Sequence, residues 1–487
     1  MKLYINDKTN SAKPLYYQSL ILMFLPCEKF GSDDDSKNEL HVSAYSENNR
    51  NYVTVKLKSG DRVSEKSAVQ DVDTGVYCQM KNLIGRTLLD AAFEIFGITP
   101  PWGISTGVKP VKLARRFVRA FGSEKALDVL RNEYKISKNK ALMAVRACQY
   151  EDELMENMGE NPCSLYVSIP FCPTKCNYCS FVSCTTPRLI SLIPDYVRRL
   201  KSELEIISET VKENGLSLKS IYIGGGTPAI LDENQIEFLL SNIHNLFDVN
   251  DCAEFTFEAG RPDCISADKL QVLKDHGVTR VSINTQTTND LILKSVGRSH
   301  SYSDYVNAMN MAKKIGFKCI NTDIIAGLPG EDCDSFCKSV RDVAMLEPEN
   351  ITVHAFTLKK SSNYRISGES SFDTGCEEAY KMSDYSSDFL YNCGFIPYYV
   401  YKQKNTVGNL ENVGYSKKGF ESIYNVIMMG EYHTVFAAGA GSVTKIVLNN
   451  GERVERLFAP KYPYEFLDIE KYPGFDKRKV FELLNER

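Results

Sequence analysis

Short apolar runs alternate with amphipathic helical patterns from Leu165 to about residue 355, and this alternation constrains the fold more than any other feature. The strand-like runs are residues 165–169, 220–223, 253–258, 280–284, 319–324 and 351–355. The helical patterns between them cover residues 195–211, 233–247, 267–276, 303–315 and 334–345. Six strands that alternate with helices predict parallel β/α units joined by right-handed crossovers. We therefore expect an α/β fold whose central domain, residues 161–370, is an incomplete (β/α)6 parallel barrel.

Two further domains are predicted on either side of this core. Residues 1–160 indicate an N-terminal α+β domain of unknown role. Its expected elements are one half-buried strand, two helices and a polar loop, at residues 52–57, 76–96, 111–121 and 33–35. Residues 371–487 begin with a helical pattern near 377–391 and predict a C-terminal α/β extension that covers the active site.

Composition excludes several classes of protein. The chain has 487 residues, enough for two or three domains, and a net charge of −4 that gives no sign of general nucleic-acid binding. Its longest apolar run, residues 20–27, is too short to span a bilayer. The chain has fifteen cysteines, and residues 1–9 lack the apolar core of a secretory signal. These features predict a protein of the reducing cytoplasm.

Three cysteines, Cys172, Cys176 and Cys179, follow the first core strand in a C-x3-C-x2-C spacing. Three thiolates from one loop can hold three irons of a four-iron cluster and leave the fourth iron open to a ligand. Free cysteines or a zinc site are the alternatives, although no second C-x2-C pair or nearby histidine supports zinc. Cys163 or Cys184 could supply a fourth ligand and close the cluster.

Polar residues stand where the core strands end, and parallel β/α folds gather their chemistry at that edge. A glycine run at residues 224–228, GGGTP, follows the second strand and favours close contact between backbone and ligand over a simple turn. Tyr178, inside the cysteine loop, could lie over a flat ligand or belong to the core. His300 and His354 could bind a metal or transfer a proton, but a structural role is more common for histidine.

A polar pocket is predicted from the ends of the third to fifth strands. Glu258, Gln286 and Asp323 suit the recognition of hydroxyls, amines and a heterocycle edge. Arg298 and Asn321 lie close to them in the sequence and complete the expected pocket. Each of these residues alone is more often structural, and it is their occurrence at successive strand ends that indicates a ligand site.

The cysteine loop, the glycine run and the strand-end residues together resemble the radical S-adenosylmethionine (SAM) superfamily. More narrowly, the chain is similar to the oxygen-independent coproporphyrinogen III oxidase family. The segments that carry this resemblance are residues 166–179, 222–228, 257–263, 280–286, 296–298 and 321–330. Residues 395–445 and 102–109 resemble the HemZ-type branch of that family.

The resemblance implies a [4Fe–4S] cluster held by Cys172, Cys176 and Cys179, with the amino and carboxylate groups of SAM on the open iron. Backbone contacts from Gly225, Gly226 and Thr227 would hold SAM. Tyr178 would lie against its adenine ring. The remaining SAM-binding positions of the family match Tyr166, Glu258, Gln286, Arg298 and Asp323.

The same resemblance implies oxidative decarboxylation of coproporphyrinogen III propionates to vinyl groups, which gives protoporphyrinogen IX through a 5′-deoxyadenosyl radical. The implied partners are a tetrapyrrole, coproporphyrinogen III or haem, and an electron donor such as flavodoxin or ferredoxin. Two departures stand out, because Ser168 replaces a histidine common in the family and Phe181 replaces a further cysteine. A haem-binding trafficking protein and a radical SAM methyltransferase that opens haem are the alternative functions.

Overall fold

The computed structural model describes residues 1–26, 28–31, 36–72, 79–156, 158–357, 376–403 and 406–485. The chain forms two compact units, each assembled from separated stretches. The first unit comprises Met1–Cys148, Gly375–Asp384 and Val400–Asn412, and the second comprises Gln149–Thr374, Tyr385–Tyr399 and Val413–Arg487. The predicted domain boundaries at residues 160 and 370 remain predictions. The polar loop at 33–35 and the start of the predicted 76–96 helix lie outside the described residues.

The first unit contains a four-stranded sheet in the order β1-β2-β3-β4. The strands are β1 Lys2–Asp7, β2 Asn38–Glu47, β3 Arg50–Ser59 and β4 Arg62–Asp71. β1 pairs parallel to β2, whereas the other neighbours are antiparallel. Apolar residues alternate with polar ones in β2 and β3, so Leu40, Val42, Val53 and Val55 point to one buried face. The predicted strand at 52–57 is thus confirmed within β3.

Five helices complete the N-terminal part of the chain. They are α1 Pro14–Ile21, α2 Gln79–Phe96, α3 Pro110–Phe121, α4 Ser123–Asn132 and α5 Lys138–Met155. α2 supplies Leu83, Ile84 and Leu88 to the same apolar core as the buried face of the sheet, and α1 adds Tyr17 and Leu20. The unit is therefore a sheet with one face covered by helices, as the predicted α+β character requires.

The second unit is organised around six parallel strands in sequential order. They are β5 Pro162–Ile169, β6 Ser217–Gly225, β7 Glu254–Gly260, β8 Arg280–Ile283, β9 Cys319–Ala326 and β10 Asn350–Ala355. Each strand pairs parallel with the next along the chain. Their residues are almost continuously buried, as expected for strands covered on both faces. The six predicted core strands are therefore confirmed.

Five later strands extend the same sheet to eleven, in the order β11-β12-β10-β9-β8-β7-β6-β5-β13-β14-β15. They are β11 Ile396–Lys402, β12 Glu411–Ser416, β13 Thr434–Ala438, β14 Val443–Leu448 and β15 Arg453–Phe458. β13 pairs parallel with β5, and β12 pairs antiparallel with β10. The C-terminal part of the chain therefore supplies strands beyond both ends of the six-stranded core.

Helices connect the strands and follow them. They are α6 Pro187–Ile190, α7 Ile193–Glu213, α8 Glu233–Leu246, α9 Ala267–Asp275, α10 Asp290–Ser295, α11 Tyr302–Ile315, α12 Cys333–Met345, α13 Cys376–Asn392, α14 Ile423–Gly430, α15 Pro463–Leu467 and α16 Lys477–Leu484. Three of them start with reciprocal capping boxes, Asp232 with Gln235 in α8, Ser301 with Asp304 in α11 and Tyr462 with Glu465 in α15. Across the described part of the chain, we find no helix with the length and apolarity needed to cross a membrane.

Candidate cofactor site at the strand ends

The three-cysteine loop leaves the end of β5 and is closed at its base by backbone hydrogen bonds. The Cys172 N–H donates to the Cys184 carbonyl at 3.1 Å, and the Cys184 N–H donates to the Pro170 carbonyl at 2.9 Å. Cys172 and Cys176 are buried and Cys179 is half-buried. Burial raises the pKa of the Cys172 thiol; hydrogen bonds with Thr227 and Ser183 oppose this, and the charges of Cys179 and Cys176 add to it. All three cysteines therefore belong to one short loop that is closed at its base.

This arrangement bears on the other possible ligand sets. Among the described residues, no three His, Cys, Asp or Glu side chains converge as a ligand set for a metal ion. The C-x3-C-x2-C spacing, without a second C-x2-C pair, favours a cluster of several irons over a single zinc ion. Cys163 pairs with Thr434 at the opposite end of β5, about 20 Å of strand away from the loop, so it is not a fourth ligand.

The glycine run packs directly against this loop. The Gly226 N–H donates to the Ile169 carbonyl, the Thr227 N–H donates to the Phe171 carbonyl, both at 2.8 Å, and the Thr227 hydroxyl donates to the Cys172 sulfur at 3.4 Å. A Cβ atom on Gly226 would lie 2.5 Å from the Phe171 carbonyl oxygen and 2.9 Å from the Cys172 sulfur. The sequence needs glycine here because no side chain fits between the turn and the loop.

Glu258 lies at the end of β7, beside the same glycine run. The Tyr222 hydroxyl donates to Glu258 Oε1, and a Cβ on Gly224 would lie 2.9 Å from Oε2. Burial raises the pKa of Glu258 to about 7; the Tyr222 hydrogen bond opposes this, and the nearby charge of Asp323 adds to it. The carboxyl group is therefore poised between its neutral and charged forms near neutral pH.

Gln286 and Asp323 stand side by side because their backbones are joined. The Gln286 N–H donates to the Asp323 carbonyl, and the Ile325 N–H donates to the Gln286 carbonyl, both at 2.9 Å. Gln286 adopts a φ of +74°, a left-handed conformation that only a restrained non-glycine residue holds. The strand end thus presents Gln286 in one fixed orientation next to the acid.

Asp323 is charged although it is half-buried. Burial opposes ionisation, but hydrogen bonding and the charge of His354, together with the Asn321 amide at 2.9 Å, keep its pKa below the usual range. His354 Nε2 lies 3.6 Å from the carboxylate. His354, for which the sequence left several roles open, is therefore a partner of Asp323. The two carboxyl groups differ in their pKa, which is raised for Glu258 and lowered for Asp323.

Tyr178 and Arg298 form the part of the site nearest to the cysteines. Arg298 Nη1 donates to the Tyr178 hydroxyl at 3.1 Å, and Nη2 donates to the Asn284 carbonyl at 2.6 Å. Burial raises the pKa of Tyr178, against the effect of Arg298. Burial and the adjacent Arg298 lower the pKa of His300 to about 3, so that imidazole is neutral. The guanidinium group thus anchors the predicted adenine-facing ring.

Tyr166 belongs to an aromatic cluster that the sequence did not reveal. Its ring centroid lies 6.2 Å from Tyr222 and 6.1 Å from Tyr424 of α14, and the last two stack at 4.4 Å. Tyr424 comes from the far C-terminal part of the chain, so only the folded structure brings it here. The cluster forms an apolar wall beside Glu258.

Arg261 is a second functional candidate that sequence reasoning missed. It is 3% exposed, binds Asp263 through two hydrogen bonds of 3.0 and 2.8 Å, and donates to the Thr174 hydroxyl of the cysteine loop at 2.6 Å. The sequence feature that could have identified Arg261 is its position directly after β7, where the other candidate residues also follow their strands. Its positive charge acts on Cys176, as suits a loop of thiolates.

Ser168, which replaces the family's histidine, has a structural role. Its hydroxyl donates to the Ala440 carbonyl at 2.8 Å, while its own carbonyl accepts from the Tyr196 hydroxyl at 2.8 Å. The Ala440 N–H in turn donates to Tyr196 at 2.8 Å. These bonds fasten the C-terminal loop after β13 to the strand that carries the cysteines.

The chain is similar to several known proteins. The family model "Radical SAM superfamily" matches residues 166–343. The chain is 33% identical, over 84% of its length and 82% of the relative's, to the "Oxygen-independent coproporphyrinogen-III oxidase-like protein HemZ" of Bacillus subtilis. It is 29% identical to the "Heme chaperone HemW" of Haemophilus influenzae, over 63% of this chain and 76% of that protein.

The fold agrees as well. The solved structure of coproporphyrinogen III oxidase (HemN) from Escherichia coli superposes with a TM-score of 0.51 at 21% identity, over 67% of this chain and 73% of that one. Enzymes of the radical SAM superfamily use a [4Fe–4S] cluster and SAM, and both are cofactors of this chain. The chain belongs to the radical SAM superfamily and, within it, to the family of oxygen-independent coproporphyrinogen III oxidase-like proteins.

Proposed function

We propose that this protein is a radical SAM oxidoreductase of tetrapyrrole metabolism that decarboxylates coproporphyrinogen III without oxygen. Two propionates would become vinyl groups, which yields protoporphyrinogen IX. The observation that carries the proposal is the three-cysteine loop beside two half-buried acids, Glu258 and Asp323, in a chain 33% identical to a coproporphyrinogen-III oxidase-like protein over 84% of its length. We also propose that the six parallel strands curve into the incomplete barrel and that the enzyme works in the reducing cytoplasm.

Cys172, Cys176 and Cys179 would hold the cluster. When bound, the cluster and SAM would supply a 5′-deoxyadenosyl radical able to take one hydrogen atom from each propionate; vinyl formation with loss of carbon dioxide would also require an acceptor for one electron per propionate. Flavodoxin or ferredoxin is the proposed electron donor to the cluster. Arg261 offsets the negative charge of the thiolates from its place against the loop.

The strand-end residues would hold SAM in one orientation. Gly225, Gly226 and Thr227 are proposed to contact SAM through backbone groups other than the N–H groups of Gly226 and Thr227, which already donate to the cysteine loop. Glu258 offers a hydrogen-bond donor when protonated, whereas the ionised Asp323 offers acceptors only, so the pair suits hydroxyl groups that donate and accept. A further set of contacts is proposed from Tyr166, Gln286 and Arg298, with Tyr178 against the adenine.

The C-terminal residues 371–487 are proposed to cover this site. Tyr424 supports that role, since it reaches from α14 to stack on Tyr222 at 4.4 Å. Burial by this wall would keep water and oxygen from the reacting carbon.

Haem binding without decarboxylation is the second candidate function. It is supported by the 29% identity, over 63% of the chain, to a protein named as a haem chaperone. The same fold could hold haem near the cluster without presenting a propionate to the radical.

Anaerobic turnover of the reconstituted protein distinguishes these functions. The protein is incubated with SAM, a reductant and coproporphyrinogen III, and the products are separated by mass. Protoporphyrinogen IX with stoichiometric carbon dioxide and 5′-deoxyadenosine supports the proposal. Tight haem binding without a vinyl product supports the trafficking role, and methylated, ring-opened haem supports a methyltransferase. Cleavage of SAM that no tetrapyrrole stimulates, together with an absence of haem binding, would contradict all three.

A further inference from the structure

The first unit contains a cavity of about 140 Å³ that has no part in the cofactor site. Its apolar lining residues are Leu15, Leu22, Met23, Pro26 and Val108. Its polar lining residues are Ser19, Thr106, Lys402, Gln403, Thr406 and Asn409. A cavity of this size holds a ligand of about six non-hydrogen atoms. The mixed lining indicates a small ligand with a polar head and an apolar body.

Lys402 lines the cavity and is 1% exposed. Its ammonium group donates to the Ser105 carbonyl at 2.7 Å and lies 5.6 Å from the centre of the Trp102 ring. An ammonium group has three N–H donors, and this carbonyl is the one acceptor it meets among the described residues. Burial lowers the pKa of Lys402 to about 7, against the charge of Glu411. The Lys402 ammonium group therefore has N–H donors without an acceptor among the described residues, and its positive charge is only weakly balanced by a nearby acid.

Glu411, the acid that acts on Lys402, is already occupied by other donors. Its carboxylate accepts from Lys140 at 2.7 Å, from the Trp102 indole at 2.6 Å and from the Ser383 hydroxyl at 2.9 Å. These bonds hold it as the counter-ion of Lys140. A negative group that enters the cavity would thus supply what Lys402 lacks.

Asn409 adds a second unused donor to the same cavity. Its side-chain Nδ2 is buried and has no hydrogen-bond partner in the described part of the chain. The residue sits at φ +56° directly after Gly408 at φ +60°, and its backbone N–H donates to the Thr406 carbonyl at 3.1 Å. This tight turn holds the amide against the cavity, where a buried donor without an acceptor is costly.

We propose that this cavity binds the carboxylate of a short aliphatic acid. One oxygen would accept from Lys402 Nζ and the other from Asn409 Nδ2, while the alkyl chain packs on Leu22, Met23 and Val108. The acid is either a free short-chain carboxylate or a carboxylate arm of a larger molecule. The site is independent of the cluster and of the proposed reaction.

Trp102, the single tryptophan of the chain, gives a built-in probe beside Lys402. The full-length protein is titrated with sodium butyrate, and binding is followed by tryptophan fluorescence and by calorimetry. We expect one saturable site per chain. Butanol, which has the same chain length without the charge, should bind at least about tenfold more weakly.

Two variants test the contacts. Asn409→Asp keeps the shape and places a negative charge against the ligand, and Lys402→Met removes the cation. Each variant should weaken the binding of butyrate at least about tenfold, while thermal unfolding shows that the protein is folded. The control Lys56→Met, which changes an exposed residue of β3, should bind butyrate as the wild type does. Failure of butyrate to saturate, equal binding of butanol, or wild-type affinity in both variants would overturn the proposal.

Competition then identifies the source of the acid. Coproporphyrin III is added to the butyrate complex, and displacement of butyrate indicates a carboxylate arm as the natural ligand. Retention of butyrate indicates a free acid. Because neither measurement needs the cluster, failure here is distinct from failure of the decarboxylase proposal.

Discussion

At the scale of single residues, Glu258 controls a measurable pH dependence. Burial raises its pKa from 4.5 to about 7, so the folded state binds a proton that the unfolded state has lost in this range. The contribution of Glu258 to the free energy of unfolding therefore falls as pH rises from 4.5 to about 7, by a total of about 3 kcal/mol.

The variant Glu258→Gln should not show this decrease in the free energy of unfolding with rising pH. We expect its free energy of unfolding, relative to the wild type, to increase by up to about 3 kcal/mol between pH 4.5 and 7 in cofactor-free protein. Urea unfolding at several pH values measures the difference. Glu452→Gln changes an exposed carboxyl group and serves as the control. A constant difference across this range would show that Glu258 titrates normally.

Cys176 tests the cluster itself. Cys176→Ala should remove the broad visible iron–sulfur absorption and SAM cleavage together, because two thiolates cannot hold the remaining irons in place. Cys393→Ala, which changes an exposed cysteine, should keep both. Iron content and 5′-deoxyadenosine production after reconstitution provide the measurement. Retention of absorption and cleavage by Cys176→Ala would contradict the proposed ligands.

Sequence spacing suggests a ligand set within one loop more readily than it suggests contacts between residues that are distant in the chain. The three cysteines share one short loop, so their spacing alone indicated the cluster. Tyr222 and Glu258 meet only because β6 and β7 pair in a register that sets Tyr222 opposite Thr256, two residues before Glu258. The sequence pattern of either strand alone does not reveal how the two strands are aligned. The Tyr424 contact depends on a chain separation of about two hundred residues and was equally hidden.

At the scale of elements, the glycine run determines where the cysteine loop lies. Gly226→Ala would place a Cβ 2.5 Å from the Phe171 carbonyl oxygen and 2.9 Å from the Cys172 sulfur. We expect the loop to shift, with a loss of about 1–3 kcal/mol in stability and incomplete cluster assembly.

Gly107→Ala is the matched control, because a Cβ there meets no heavy atom of the described residues within 4 Å. Iron content after reconstitution and urea unfolding compare the two variants. If Gly226→Ala assembled a full cluster with wild-type stability, the close packing of turn and loop would be refuted.

The core strands were predictable because they are short, apolar and buried on both faces. β4 escaped prediction since its sequence, RVSEKSAVQD, is mostly polar and it forms an outer strand of its sheet. β13 escaped because its small residues, TVFAA, resemble a loop and become a strand only between β5 and β14. The positive φ of Gln286 was also out of reach, since it is imposed by bonds to the neighbouring strand.

At the scale of the whole molecule, the first unit depends on a buried ion pair between distant segments. Lys140 is fully buried and pairs with Glu411 at 2.7 Å, and both contact Ser383. Lys140→Met should cost about 3–5 kcal/mol, because it leaves the carboxylate of Glu411 buried without its cation.

A second substitution at this ion pair distinguishes the effect of the unpaired charge on stability from the effect of packing. The double variant Lys140→Met with Glu411→Leu should recover most of the lost stability, since it removes both charges. Lys138→Met, at an exposed position of the same helix, should unfold like the wild type. Thermal and urea unfolding measure all three. Equal loss in the single and double variants would show that packing, rather than the unpaired charge, dominates.

The pairing of β5 sets an order of events during synthesis. One edge of β5 pairs with β6, which follows about 50 residues later, but the other edge pairs with β13, in which Thr434 lies opposite Cys163. About 270 further residues must therefore leave the ribosome before the strand that carries the cysteines has both neighbours. Until then its open edge can pair with another chain. We therefore expect iron–sulfur assembly to follow the pairing of β13 with β5, when the loop after β13 has reached Ser168.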